Sequence, residues 1–251
     1  MSGLASSGSA PGPAGGDPGA GPRPEGGSAE PGADRFETSA PPPPPLAAFD
    51  LDGTLTRRDT LMPFLVRALG AGRPYRAVVA STLPLARAVA LGGPHRDVAK
   101  AAVLRRILAG VPLAPLAEAA ESYADHVVAE GLRPDVRARV DWHRAEGHEL
   151  VLVSASPELY VSPIGRRLGF DEVLATRLEV DAAGLLTGRL LGANCRGPEK
   201  VARLRAWRGD ALVLAYAYGD STGDREMLAL AATPVRVEGR RRPRRAVVAP
   251  G

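Results

Sequence analysis

Leu46-Ala47-Ala48-Phe49-Asp50-Leu51-Asp52-Gly53-Thr54 runs from an apolar stretch straight into two carboxylates. A short apolar run that ends in acid reads as a buried parallel strand, 46–50, whose carboxyl end delivers side chains to a site. The chain beyond Pro134 alternates in the way such a sheet requires. Helix 135–146 leads to strand 149–154, then helix 158–168 and strand 172–180. A turn at 181–184 leads into a short strand, 186–191. Helix 198–207, strand 211–218, helix 222–231 and strand 234–238 follow. Strands alternating with helices of this length build βαβ units around a parallel sheet. Between the two parts, residues 61–130 are rich in Ala, Leu and Arg at helical spacing, broken at Gly72-Arg73-Pro74, Gly92-Gly93-Pro94 and Gly110-Val111-Pro112. About four helices and no strand are expected there. The fold class is therefore α/β, with an all-helical insert after the first strand.

Composition narrows the rest. Hydrophobic residues at 45% and charged residues at 24% are globular values, so the chain as a whole is not disordered. The single cysteine, Cys195, excludes a disulfide framework and a Cys-rich zinc site. The four histidines show no HxxxH pairing, which argues against a zinc hydrolase. No stretch reaches the ~20 unbroken apolar residues of a spanning helix. Residues 1–45 hold ten glycines and eleven prolines, which suits a disordered leader ending in a polyproline spacer rather than a secretory signal. Only Lys100 and Lys200 among 32 cationic side chains are lysines. Such an arginine bias follows GC-rich coding and says little about nucleic acid, which is not expected as a partner. Five arginines between Arg240 and Arg245 carry the excess: removing them takes the net charge from +4 to −1. The expected organisation is leader 1–45, core 46–60 and 131–238, helical insert 61–130 and arginine-rich tail 239–251. The expected place is the cytoplasm or the inner face of its membrane.

Ligands of open α/β sheets bind beyond the carboxyl ends of the strands. Those ends bring Asp50 and Asp52, then Ser154, then Lys200 at the head of a helix, then Asp220 and Asp224 within Gly219-Asp220-Ser221-Thr222-Gly223-Asp224. Converging carboxylates repel unless a hard cation sits among them, and oxygen ligands suit Mg²⁺. A cation, an ammonium and a hydroxyl together can hold a phosphoryl dianion facing an aspartate.

Asp50-Leu-Asp-Gly-Thr-Leu-Thr56, Ser154, Lys200 and Gly219-Asp220-Ser-x-x-Asp224, in that order, resemble the four motifs of the haloacid dehalogenase superfamily. The likeness covers about Leu46 to Glu238. It implies a Rossmann-like parallel sheet, and the helical insert is similar to the cap of the phosphoserine-phosphatase-like subclass IB. Ser154-Ala-Ser-Pro-Glu-Leu-Tyr160 and Asn194-Cys-Arg-Gly-Pro-Glu-Lys-Val201 are similar to bacterial members of that subclass. The resemblance implies that Asp50 attacks phosphorus and forms an aspartyl-phosphate, and that Asp52 protonates the leaving alkoxide and then activates water. It further implies that Asp50, the Asp52 carbonyl and Asp220 hold Mg²⁺, with Asp224 as an outer support, and that Ser154 and Lys200 hold the phosphoryl oxygens.

Each assignment has a plainer rival. Aspartates at strand ends also cap helices, Ser154 taken alone is a turn residue, and Asp224 either supports a helix start or joins the metal. Cys195 and the histidines read as structural. Asp59 stands where phosphoserine phosphatases place an acid that reads the amino acid. It is shorter than their glutamate, neither Arg105 nor Arg106 aligns securely with their cap arginine, and the second motif lacks their Ser-Gly-Gly. The cap is also similar to that of bacterial phosphatidylglycerophosphate phosphatases. Residues 77–91 are apolar on most sides, and Arg76 and Arg87, eleven apart, fall on one helical face, being separated by three turns and about 20°. A buried cap helix with two solvated arginines is preferred to one lying on an anionic membrane surface, because Pro84 would kink it. Three readings stay open: a Mg²⁺-dependent phosphomonoesterase acting on a small or lipid-head phosphate, the same chemistry on phosphatidylglycerophosphate at the membrane, and a non-catalytic phosphate-binding regulatory module.

Overall fold

Strand β1 (Leu46–Phe49) is buried at every position, as an apolar run with neighbours on both edges should be. The computed structural model describes residues 43–80, 94–209 and 212–238. In it β1 pairs in parallel with β3 (Glu149–Pro157) on one side and with β7 (Leu214–Gly219) on the other. With β4 (Glu172–Thr176) and β8 (Thr233–Arg236) these form a five-stranded parallel sheet in the order β4-β3-β1-β7-β8. Alternation along β1 divides the core. Ala47 and Phe49 join the cluster that reaches into the insert, whereas Leu46 and Ala48 join Val151, Val153, Cys195, Leu204 and Met227 on the opposite face. The connections diverge on either side of β1, which leaves a crevice beyond its carboxyl end.

The insert begins after a tight turn, Leu51–Leu55, closed by Thr56 N–H on the Leu51 carbonyl. It carries α1 (Leu61–Leu69), α2 (Gly72–Val79), α3 (Pro94–Leu108) and α4 (Leu113–His126). Its entry and exit strands are stitched together: Arg57 N donates to Gly131 O at 3.1 Å and Arg133 N to Leu55 O at 2.8 Å. Helices α5 (Pro134–Ala145), α6 (Glu158–Leu168), α7 (Pro198–Arg208) and α8 (Arg225–Leu230) flank the parallel sheet.

Three expectations need correction. The insert is not all-helical: β2 (Val111–Pro112) pairs antiparallel with β6 (Leu185–Leu190). Gly110, at φ +73°, turns the chain out of α3, and Gly110 N and Leu113 N donate to Leu186 O and Gly184 O. Nor is 172–180 one strand. The chain leaves the parallel sheet after Thr176, whose hydroxyl is held by Ala155 O and Asn194 Oδ1, and restarts as β5 (Leu178–Val180), giving a second sheet β2-β6-β5. The helix expected at 222–231 opens as a separate turn, Thr222–Asp224, before α8. The candidate lipid-facing helix is described only as far as Ala80, at the end of α2. Residues 81–93, the leader to residue 42 and the tail from 239 lie outside the described residues. Among the described residues no helix is long and apolar enough to cross a membrane.

Candidate active site

The crevice at the end of β1 holds a cavity of about 260 Å³ lined by Asp50, Asp52, Asp59, Ser156, Arg196, Lys200 and Asp224, among others. Asp50 is 6% exposed and its backbone N–H is tied to Tyr218 O on β7. Lys200, in the first turn of α7, is 1% exposed and reaches it from the other side of the crevice. Its ammonium donates to Asp50 Oδ1, Asp224 Oδ1 and Val153 O, each at 2.7 Å. Asp224 is pinned by its second oxygen too, which accepts from Ser221 N and Ser221 Oγ in a capping box.

Burial pushes the Asp50 carboxyl up to about 7, Lys200 opposing this and the Asp224 charge adding to it. Burial also works against Asp224, but Lys200 and Ser221 outweigh it and hold that carboxyl below its ordinary range. Burial works against the Lys200 ammonium as well, yet Asp50 and Asp224 together hold its pKa above the usual value. The proton that this trio can lose most easily is therefore not the lysine's.

Asp50, Asp220 and Asp224 each present an oxygen within 4.8 Å of the others. Three buried side-chain oxygens lack a hydrogen-bond partner among the described residues, and one of them, Asp220 Oδ1, belongs to this group. Burial, then the charge of Asp224, raise the Asp220 pKa. Three carboxylates facing one ammonium leave an excess of negative charge where water is scarce. That arrangement fits a hard divalent cation, and Asp50, Asp220 and Asp224 could hold it. Gly53 makes the approach possible: it sits at φ +86°, and a Cβ there would lie 2.2 Å from Asp220 Oδ2.

The Asp52 carboxylate does not join this group. Its Oδ1 accepts from Thr60 N at 2.7 Å and Thr60 Oγ1 at 2.6 Å, and its Oδ2 accepts from Ser156 Oγ at 2.5 Å. Burial raises its pKa and the Asp59 charge adds to this, against those three hydrogen bonds. Asp59 lines the same cavity, but its Oδ1 also accepts Leu61 N–H and so caps α1. Ser154 is fully buried, its Oγ accepts from Ser156 N, and it does not line the cavity, whereas Ser156 and Ser221 do. Ser154 and Ser156 lie in β3 with period two, so the strand's extension to Pro157 brings the second serine into reach. Thr60 and Tyr160, whose hydroxyls meet at 3.1 Å behind Asp52, and Arg196 were likewise not expected. The Ser-Ala-Ser repeat was the available signal for Ser156. Tyr160 and Arg196 lie in the two stretches similar to bacterial members of subclass IB, whereas Thr60 had no such signal. Arg105 and Arg106 do not line this cavity. Cys195 is buried, with its thiol pushed up to about 11 by burial.

The haloacid dehalogenase-like hydrolase family matches residues 47–229. The chain belongs to that family. As a haloacid dehalogenase-like hydrolase it is 40% identical over 188 residues to Protein CicA of Caulobacter vibrioides, covering 75% of this chain and 83% of that one. It is 32% identical over 200 residues to phosphoserine phosphatase SerB1 of Mycobacterium tuberculosis, covering 76% of this chain and 64% of the relative. Among solved structures, a Bordetella pertussis protein of unknown function superposes with a TM-score of 0.62 at 28% identity, over 74% of this chain and 86% of that one. The α/β core of this hydrolase is thus shared across the family, and Asp50, Ser154, Lys200, Asp220 and Asp224 all lie within the matched residues.

Proposed function

We propose that this hydrolase is a Mg²⁺-dependent phosphomonoesterase working through an aspartyl-phosphate on Asp50. The observation that carries the reading is the pairing of two differently held aspartates at one cavity. Asp50 is gripped by Lys200 beside the acidic group, whereas Asp52 is turned away from that group and held by Thr60 and Ser156. Partners that differ in this way suit one carboxyl for attack and the other for proton transfer. Mg²⁺ held by Asp50, Asp220 and Asp224 would supply positive charge to offset the two anions that must meet.

In the first half, the Asp50 carboxylate bonds to phosphorus, the ester P–O bond breaks, and Asp52 gives its proton to the departing alkoxide. In the second, Asp52 takes a proton from water as the oxygen attacks phosphorus. The Asp50–phosphate bond then breaks, releasing phosphate. Thr60 and Ser156 hold Asp52 on the side from which the leaving group departs and water arrives. SerB1 carries the name of an enzyme acting on a small phosphomonoester, which supports that substrate class here. The experiment is turnover of a phosphomonoester panel, including phosphoserine and phosphatidylglycerophosphate, with and without chelator, beside Asp50→Asn. An acid-stable ³²P label on the parent chain that is absent from the variant supports the aspartyl-phosphate. Phosphate binding without turnover would favour the regulatory module.

A further inference from the structure

We infer that Arg196 is a further side-chain cation that grips the phosphoryl group in this cavity, an assignment that rests on the phosphomonoesterase reading. An ammonium has three N–H donors, and all three of Lys200 are committed to Asp50, Asp224 and the Val153 carbonyl. The Ser156 hydroxyl donates to Asp52, and Ser154 does not line the cavity. The donors that the motif residues were expected to offer a phosphate are thus turned toward the protein. Arg196 lines the same cavity, half-buried, and its guanidinium makes one hydrogen bond among the described residues, from Nη2 to Thr222 Oγ1 at 3.3 Å. Most of its five N–H donors remain for an anion, and they form a planar fork that matches two phosphoryl oxygens.

The placement is built into the loops. Arg196 N donates to Asn194 O at 2.7 Å, and Gly197 N donates to Gly223 O at 2.8 Å, which ties the arginine's loop to the loop carrying Asp220 and Asp224. Gly223 does not have a positive φ, so its backbone does not require glycine. The arginine packs closely over it: a Cβ at Gly223 would lie 3.0 Å from both Cγ and Nε of Arg196, so the guanidinium arm would have to give way. The missing side chain clears the surface over which Arg196 reaches the cavity.

The test is calorimetric titration of the full chain, in Mg²⁺, with inorganic phosphate and with orthovanadate. Kinetics on phosphoserine and p-nitrophenyl phosphate accompany it, and thermal melts check folding. Arg196→Ala is expected to weaken phosphate about 30-fold and to raise KM similarly for both esters. Arg196→Lys should recover part of this, because an ammonium cannot fork. Gly223→Ala, which keeps the charge but crowds it, should weaken phosphate without removing any donor. Phosphate affinity within twofold of the parent in Arg196→Ala would overturn the assignment. So would a KM rise confined to phosphoserine, which would make Arg196 a reader of the leaving group instead. If the parent binds phosphate but hydrolyses nothing, the phosphomonoesterase reading fails while the arginine assignment is still decided by the titration.

Discussion

Replacing Lys200 with methionine removes a buried ammonium and keeps most of its volume. Asp50 and Asp224, with side chains 9% and 2% exposed, would then face each other without a counter-ion, and the Val153 carbonyl would lose its donor. Breaking a buried ion pair by removing one partner costs about 3–5 kcal/mol, and an orphaned carbonyl adds roughly 1 kcal/mol. For a chain of this size the loss of about 4–6 kcal/mol lowers Tm by on the order of 10–20 °C. The loss must depend on pH. Asp50 already has its folded pKa raised from 3.8 to about 7, so ionising it costs stability as pH rises between those values. Without Lys200 the Asp224 carboxyl rises as well, and the penalty grows further above neutrality. Urea denaturation of parent and Lys200→Met in chelator, at pH 5.5 and pH 8, is the assay. The gap between the two proteins should be at least about 2 kcal/mol wider at pH 8. A gap below about 1 kcal/mol at pH 8, or one independent of pH, would refute the claim that Lys200 acts by neutralising both carboxylates.

Asp52→Asn should slow the first half, transfer of the phosphoryl group to Asp50, by about 10²–10⁴-fold with alkyl phosphates but far less with p-nitrophenyl phosphate, whose leaving group departs without a proton. Equal losses with both esters in single-turnover measurements of that half would remove Asp52 from protonation of the leaving group. Gly53→Ala places a methyl against Asp220 at a φ of +86°, and should cost more than about 1 kcal/mol and weaken Mg²⁺ binding at least about tenfold by titration. His143, fully buried and bonded to His148 Nδ1 and the Tyr218 hydroxyl, has its pKa lowered from 6.5 to about 4, first by burial and then by the His148 charge. Its unfolded form binds a proton first as pH falls. Its contribution is therefore complete above about 6.5 and is lost on going down toward about 4, by roughly 2–3 kcal/mol. Urea melts of His143→Phe across that window should show a correspondingly flatter slope than those of the parent.

Much of this hydrolase was legible in one dimension. Leu46–Phe49 could be read as a central strand because both its faces are covered, so no polar alternation interrupts it. Asp50, Lys200, Asp220 and Asp224 could be read because strand ends and helix starts are local features, and the parallel sheet brings all such ends to one edge. The breaks in the pattern were less readable. Val111–Pro112 is too short to carry a period, and it is a strand only because β6 lies beside it. Residues 172–180 look continuous in β-propensity, and it is the hold of Ala155 and Asn194 on Thr176 that divides them between two sheets.

Chemical identity at the site was thus determined by the sequence: which carboxylates, which ammonium, and at which strand end each emerges. What each group is free to do was decided only by tertiary structure. Residues 50, 153, 200 and 224 are far apart along the chain, and the assignment of the three Lys200 protons to three of them appears only when four elements converge. The same convergence turns Asp52 away from the acidic group toward Thr60 and Ser156, and clears Gly223 for Arg196. Hydrogen bonds saturate and charges add over distance, so the role of a polar group depends on which partners reach it, and those partners are set by packing rather than by neighbours in sequence.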